Sequence, residues 1–300
     1  LPHGGAKSVL FGDPKMPKEE KERLIRELAS ALRETREYIF GPDMGTDEEC
    51  MAWIKDEIGR SVGLPREVGG IPLDEIGATG WGISQVVDVA LDYCDFELPE
   101  ARLVVQGFGA VGRHAARFLV ARGAMLVAVA DSRGTIHHPA GLDLDELIAL
   151  KDEGRSVIEY SAGEKLKRDQ VIDVACDIWI PAARPDVVHE DNVNRLNTRL
   201  VVQGANIPFT YGAEKVLHRR GILNVPDFIA NAGGVICAAM EYRQASQMAA
   251  LQSIEERLRE NTAQVLAQAK TKGVPPRDAA MELATERLRR AMSYRRWSLF

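Results

Sequence analysis

The stretch that most restricts what this chain can fold into is Leu103-Val104-Val105-Gln106-Gly107-Phe108-Gly109-Ala110-Val111-Gly112. Its apolar start reads as a buried strand and ends in glycines spaced G-x-G-x-x-G. A helical segment follows, with Val111, Ala115, Phe118 and Leu119 on one face. Strand, glycines and helix in that order turn a weak pattern into a usable one. Gly107 permits a tight turn, Gly109 lets backbone come close to a pyrophosphate, and Gly112 lets the helix lie against the strand. The helix N-terminus then offers free N–H groups and a positive dipole end to phosphate. A second apolar run, Met125 to Ala130, stops at Asp131, nineteen residues beyond Gly112, where an acid can accept hydrogen bonds from an adenosine ribose. The alternative is an ordinary Gly-rich turn with Asp131 as a turn residue. The complete order favours dinucleotide binding through Gly107, Phe108, Gly109, Ala110, Val111, Gly112 and Asp131.

Three more short, β-prone segments follow in rhythm: Asp177 to Ile180, Leu200 to Gln203, and Ile222 to Val225. With helical or loop segments between them they predict an α/β fold, a Rossmann-type doubly wound parallel sheet. Ligands of such sheets bind at the carboxyl ends of the strands. Ahead of the sheet, Pro17 opens an amphipathic helix with Leu24, Leu28, Ala31, Leu32 and Ile39 on one face. The run Gly41 to Thr46 breaks it, and Asp47 is placed to cap a helix ending near Ile58. Between Asp131 and Asp177 the pattern predicts a loop carrying His137 and His138, a helix over Leu142 to Leu150, and irregular chain from Glu153 to Arg168. Two adjacent histidines do not readily face one metal, and no Cys or acid is placed with them, so no metal site is expected. After Asn231 the pattern is helical to the end. The expected division is a partial α/β substrate domain over 1–71, a dinucleotide-binding domain over 72–231, and C-terminal helices over 232–300 that return to complete the first.

Three hundred residues with 45% apolar and 27% charged composition suit a two-domain soluble protein. A chain of this size needs no disulfide or metal staple. The net charge of -6 gives no electrostatic reason to expect nucleic acid or an anionic membrane as partner. Cys50, Cys94, Cys176 and Cys237 stand far apart and read as reduced structural thiols, which points to the cytoplasm. No run approaches the roughly 18 apolar residues of a membrane span, and no signal peptide is visible. The opening Leu1-Pro2-His3-Gly4-Gly5, without an initiator Met, suggests a chain that starts partway through a longer one.

Several motifs outside the Gly-rich turn carry a family resemblance. They are Leu1 to Lys7, Gly41-Pro42-Asp43-Met44-Gly45-Thr46, Met51-Ala52-Trp53, Ala78-Thr79-Gly80-Trp81-Gly82, Ile180-Pro181-Ala182-Ala183, Gly204-Ala205-Asn206, and Pro226 to Val235. With the turn itself they occur in order across nearly the whole chain. In this the chain resembles the glutamate/leucine/phenylalanine/valine dehydrogenase family, whose members oxidatively deaminate amino acids with NAD or NADP. The resemblance implies two α/β domains with the active site in the cleft between them. It also implies an amino acid or 2-oxo acid and ammonia as ligands, and a homo-oligomer, by likeness a hexamer. By the same resemblance Lys7 activates water, its pKa lowered by desolvation, and Asp43 carries protons to and from the substrate nitrogen. Thr79, Asn206 and Asn231 match cofactor contacts around the nicotinamide, its carboxamide and its ribose. Gly4 and Gly5 match substrate-binding positions.

Two departures shape the expectations. Glutamate-specific members carry a serine after the Ala-Gly-Gly-Val motif, and here Ala238 holds that place. An alanine cannot donate to a side-chain carboxylate, which weakens glutamate selectivity by about 1.5–3 kcal/mol if Ala238 lines the pocket. Glutamate is the first expectation, and a branched-chain or aromatic amino acid the alternative. Family members also carry a segment ahead of Gly4-Gly5 with a further substrate-binding lysine. A chain natively lacking it would be a non-catalytic dinucleotide-binding homologue. For the cofactor, Asp131 repels a 2′-phosphate and favours NAD, while Ser132 and Arg133 could accept one and make NADP possible.

Overall fold

The computed structural model describes residues 4–13 and 16–294; residues 1–3, which open the first family motif, lie outside them. In chain order the first elements are α1 (Lys18–Ala31), α2 (Glu48–Ile58), α3 (Ala78–Leu91), β1 (Arg102–Gln106), α4 (Ala110–Val120), β2 (Met125–Ala130), β3 (Thr135–His137), α5 (Leu144–Asp152) and β4 (Glu164–Leu166). Then come β5 (Ile178–Pro181), β6 (Leu200–Val202), α6 (Tyr211–Arg219), β7 (Leu223–Val225), α7 (Asp227–Ala230), α8 (Gly233–Tyr242), α9 (Gln247–Lys272) and α10 (Pro276–Ser293). Two compact units result: Leu1–Ala78 with Gly234–Ile254, and Thr79–Gly233 with Glu255–Phe300.

The second unit holds a sheet in the order β4-β3-β2-β1-β5-β6-β7. From β2 through β7 the pairings are parallel. The chain leaves β1 toward β2 on one side and later returns to place β5 on the other. This makes the β1/β5 boundary the point where strand order reverses. Strands buried on both faces read as continuous apolar runs, and β1, β2, β5 and β6 are such runs, buried along nearly their whole length. Trp179 and Phe209 meet edge to face at 6.0 Å in the core on one side of the sheet.

The sheet is mixed rather than wholly parallel. β3 pairs antiparallel with β2, and β4 with β3. A tight turn closed by the Asp131 N–H on the Gly134 carbonyl (2.9 Å) joins β2 to β3. So short a link has no room for the crossover that a parallel pairing requires. Their three-residue cores, Thr-Ile-His and Glu-Lys-Leu, carry too little apolar pattern to announce strands. His137 therefore sits on a strand, 3.9 Å from Glu164, and not in a loop.

In the first unit α1 and α2 pack around Ile25, Ala29, Phe40, Cys50, Met51, Ile54 and Leu64. Asp47 caps α2 by accepting the Cys50 N–H at 3.0 Å, as its position in the sequence suggests. α1 ends at Ala31, well short of Ile39, because Arg33 to Glu37 offer nothing apolar to bury. Its buried line is Ile25 and Ala29, with Leu28 and Leu32 beside it. The guanidinium of Arg60 donates to the carbonyls of Leu32, Thr35 (3.0 Å) and Tyr38 (3.1 Å), tying down the turns that follow the helix. Glu241 on α8 does the same work in reverse. Its carboxylate accepts the buried N–H groups of Gly63 (3.1 Å), Leu64 (3.2 Å) and Ile71 (3.1 Å) in the 59–74 segment.

The division falls elsewhere than expected for the C-terminal helices. Only Gly234–Ile254 groups with the first unit, and from Glu255 onward the chain belongs to the second. There Arg259 on α9 donates to Gln85 (3.2 Å) and Asp88 (3.0 Å) of α3, and Arg277 on α10 to Glu214 and Asp227. Among the described residues no helix is long and apolar enough to cross a membrane.

Glu241→Ala would leave three buried donors unpaired, a loss of about 3 kcal/mol or more. Calorimetry should show a melting temperature roughly 5–10 °C lower. A shift under 1 °C would contradict the role given to this carboxylate.

Candidate functional site

The carboxyl ends of β1, β5 and β6 meet at the switch point. Gly107 follows β1 with φ +100°, a conformation that favours glycine. A Cβ there would lie 2.7 Å from Ala183 Cβ and 2.8 Å from the Ala182 carbonyl carbon, so the loops after β1 and β5 touch because this residue has no side chain. At Gly112 a Cβ would stand 1.9 Å from the Gly107 carbonyl oxygen, which no rearrangement of a flexible side chain relieves. Glycine at both ends of the turn sets α4 directly against β1. Gly204, after β6, lies where Ile83 of α3, Val111 of α4 and the Pro181 carbonyl converge.

Gly109 behaves differently. It is exposed, nothing lies within 4 Å of where its Cβ would be, and it precedes α4 without a side-chain cap. The first N–H groups of an α-helix have no internal acceptor, so this end of α4 is open for a phosphate. These features fit the pyrophosphate of a dinucleotide. Phe108, counted with the turn in the sequence, is a core residue with 1% exposure, so only its backbone can face a ligand. Ala110 and Val111 start α4 and are half-buried.

Thr79 lies half-buried in the first turn of α3, beside Gly80, whose missing side chain lets α3 approach His114 and Ala115 of α4. Asn206 follows the β6 loop, and Asn231 ends α7. Although 25 positions apart, they are joined by a hydrogen bond from Asn231 Nδ2 to Asn206 Oδ1 of 2.8 Å. Two amides from separate strand ends thus form one polar edge.

Asp131 ends β2 as expected, but its carboxylate is already engaged. Ser156 Oγ donates to both oxygens (2.9 Å each), Lys151 Nζ to Oδ2 (3.1 Å), and the N–H groups of Val157 (3.0 Å) and Arg133 (2.9 Å) complete the set. Only 8% of its side chain is exposed. Burial alone would raise its pKa; the N–H groups of Val157 and Arg133, the Ser156 hydroxyl and the Lys151 ammonium outweigh it and hold the carboxyl below its ordinary value. A ribose hydroxyl reaching Asp131 would meet occupied acceptors. Ser132 is exposed beside it, and Arg133, mostly exposed, pairs with Glu159 at 3.3 Å. Lys151 and Ser156 carry no functional signal in the sequence beyond the Ser156-x-x-Glu159 capping box, which the structure forms.

In the first unit, Lys7 and Asp43, 36 positions apart, form an ion pair between Lys7 Nζ and Asp43 Oδ2. The Gly41 to Thr46 run is a turn built around Asp43. Thr46 donates its N–H and hydroxyl to the Asp43 carbonyl (2.9 and 3.0 Å), and Gly45 takes φ +81°. This leaves Asp43 Oδ1 for the Met44 N–H (2.8 Å) and Oδ2 for Lys7. The ammonium of Lys7 is the largest influence on Asp43, whose carboxyl is held below its ordinary value despite partial burial. The Lys7 side chain is 68% exposed, so its partner rather than desolvation defines its surroundings in this unit. Ser8 anchors the strand of chain beside it by donating to Tyr38 Oη at 3.0 Å. Gly4 and Gly5 are exposed, outside any helix or strand, with open space around them, and Ala238 is half-buried on α8. Among the described residues no cluster of three or more His, Cys, Asp or Glu could hold a metal ion.

Residues 69–296 match the family described as Glutamate/Leucine/Phenylalanine/Valine dehydrogenase, and residues 1–60 match its dimerisation domain. The chain belongs to the glutamate/leucine/phenylalanine/valine dehydrogenase family. A glutamate dehydrogenase of Aeropyrum pernix is 35% identical over 320 residues, covering 99% of this chain and 76% of its own. One from Thermotoga maritima is 38% identical over 262 residues, 81% of this chain and 62% of its own. The chain thus spans about three-fifths to three-quarters of the curated relatives it matches. The hetero-hexameric glutamate dehydrogenase of Thermus thermophilus, solved in a leucine-bound form, superposes with a TM-score of 0.86 at 29% identity, over 95% of this chain and 71% of that one. Further relatives in the family are named as NADP(+)-dependent or NAD-specific.

Because the folded pKa of Asp131 is depressed, its contribution to stability is complete above the ordinary carboxylate range near pH 4 and disappears as pH falls through the folded value. Asp131→Asn should destabilise the protein by about 2 kcal/mol at pH 7, and by progressively less as the pH is lowered below 4. Urea titrations at several pH values measure both. A penalty independent of pH would contradict the arrangement described.

Proposed function

We propose that this chain carries out the reversible, NAD(P)-dependent oxidative deamination of an L-amino acid, with glutamate and 2-oxoglutarate as the first-choice pair. The observation that carries the reading is the Lys7–Asp43 ion pair, which assembles the two proton-handling groups that the chemistry requires. Asp43, ionised and held low by Lys7, accepts a proton from the substrate ammonium group and leaves the nitrogen lone pair free. Lys7 holds and polarises the water that adds to the iminium carbon, and Asp43 returns a proton to the departing ammonia. Well-placed acid–base groups of this kind contribute typically about 10²–10⁴-fold each.

When bound, the oxidised nicotinamide supplies the hydride acceptor for the substrate Cα. The backbone of Gly107 to Gly112 and the open end of α4 would hold the pyrophosphate. Thr79, Asn206 and Asn231 would hold the nicotinamide end, and Asp131 and Ser132 would border the adenosine ribose. Lys151 compensates the charge of Asp131, which reduces the repulsion of a 2′-phosphate. NAD is the proposed cofactor, with NADP accepted. Gly4, Gly5 and Ala238 would border the amino acid.

Ala238 supports a second reading, since it cannot donate to a side-chain carboxylate: an apolar branched-chain or aromatic amino acid as substrate. We place the protein in the cytoplasm as a homo-oligomer, by family likeness a hexamer. Val9 and Phe11, fully exposed apolar residues within the segment that matches the dimerisation domain, support assembly.

Lys7→Ala and Asp43→Asn should each lower kcat by about 10²–10⁴-fold while NADH binding, followed by its fluorescence, stays within twofold. Wild-type turnover rates in either variant would sink the assignment of these two residues, and so would loss of NADH binding.

A further inference from the structure

The second unit contains a buried polar network that the proposed reaction does not use. Gln203, Glu214, Asn224 and Asp227 are each at most 6% exposed. The guanidinium of Arg277, near the start of α10, enters this group. Its Nη2 donates to Asp227 Oδ1 (2.8 Å), Glu214 Oε1 (2.9 Å) and Gln203 Oε1 (3.2 Å), and its Nε to Glu214 Oε2. Gln203 Nε2 donates in turn to Glu214 (2.6 Å) and Asn224 (3.0 Å). Removing one partner of a buried charge cluster leaves the others uncompensated.

The network's far side reaches the main chain beside each asparagine of the candidate nicotinamide edge. Asp227 Oδ2 accepts the N–H of Ile207 at 2.8 Å, and the Asp227 carbonyl accepts the N–H of Asn231 at 2.7 Å. Ile207 has φ +49°, in the left-handed region that a β-branched residue strongly disfavours. The residue is 58% exposed, so burial does not hold it there. What holds it is its backbone, the N–H on Asp227 and the carbonyl accepting from the Asp186 N–H at 2.9 Å. Asn206 is the residue immediately before it, and its orientation follows from that turn.

We propose that Arg277 is a positioning residue for the nicotinamide end of the dinucleotide site, acting through Asp227 and the strained Ile207 to orient Asn206 against Asn231. This rests on the reading that these two asparagines hold the nicotinamide portion. Arg277 fixes the Asp227 carboxylate, the carboxylate keeps Ile207 in its left-handed turn, and the turn aims the Asn206 amide.

Titrations with NADH and with ADP-ribose, which lacks the nicotinamide, test this on the full chain. The wild type should bind NADH more tightly than ADP-ribose. Arg277→Gln should raise the Kd of NADH about tenfold and leave that of ADP-ribose within twofold; Arg277→Lys serves if the glutamine variant does not fold. Adding Ile207→Gly, which removes the backbone strain, should restore at least threefold of the lost NADH affinity. A folded Arg277 variant that weakens both ligands equally overturns the proposal, as does one that changes neither. Failure of Ile207→Gly to rescue overturns it too. Wild-type protein that binds the two ligands equally defeats the underlying reading of the asparagines, and the proposal with it.

Discussion

Everything proposed for the dinucleotide end depends on the contact between Gly112 and the Gly107 carbonyl. At that point a single methyl group would sit 1.9 Å from an oxygen atom of the backbone, and a close-packed interior has no slack to absorb it. The contact sets α4 against β1 and aims the helix N-terminus along the carboxyl edge of the sheet. Strand order reverses between β1 and β5, and sheets of this kind take their ligands outside the carboxyl ends of the strands at that point. The loops after β5 and β6 close on the same point through Ala182, Ala183 and Gly204. Small residues cluster there because three chain segments have to share the space.

Both units use carboxylates, buried at Glu241 and Asp227 and exposed at Asp43, to hold irregular backbone in place. Glu241 secures the 59–74 segment, Asp227 the turn at Ile207, and Asp43 its own tight turn. Each accepts main-chain N–H groups that no strand or helix satisfies, and such groups are costly to leave unpaired. Where a cation joins the carboxylate, as Arg277 does at Asp227 and Lys7 at Asp43, the turn gains a charge at a defined place. Asp131 is the odd case: with Lys151, Ser156 and two N–H groups around it, its charge serves the local fold before it serves any ligand.

Much of this was legible in the sequence. The Gly-rich turn, the helix it starts and the apolar runs of β1, β2, β5, β6 and β7 follow from patterns that burial on both faces imposes. The Asp47 cap was readable for the same local reason. Lys7 and Asp43, and Asn206 and Asn231, were singled out by motif, although only the fold shows that each pair is in hydrogen-bond contact. β3 and β4 were not legible, since three residues cannot carry a period, and the end of α1 was set by the absence of a core beyond Ala31. Lys151 and Arg277 left no signal at all. Their partners lie 20 and 50 positions away, and a lone basic residue on a helix reads as solvated surface.

The most direct test of the whole account is reductive amination, followed by the absorbance of the reduced nicotinamide. Ammonia would be supplied with a panel of 2-oxo acids, using NADH and NADPH in turn. Turnover with 2-oxoglutarate is expected, faster with NADH than with NADPH. Turnover restricted to branched or aromatic oxo acids would move the substrate to the apolar class that Ala238 suits. No turnover with any oxo acid, while NADH still binds, would contradict the assignment of this chain as an amino acid dehydrogenase.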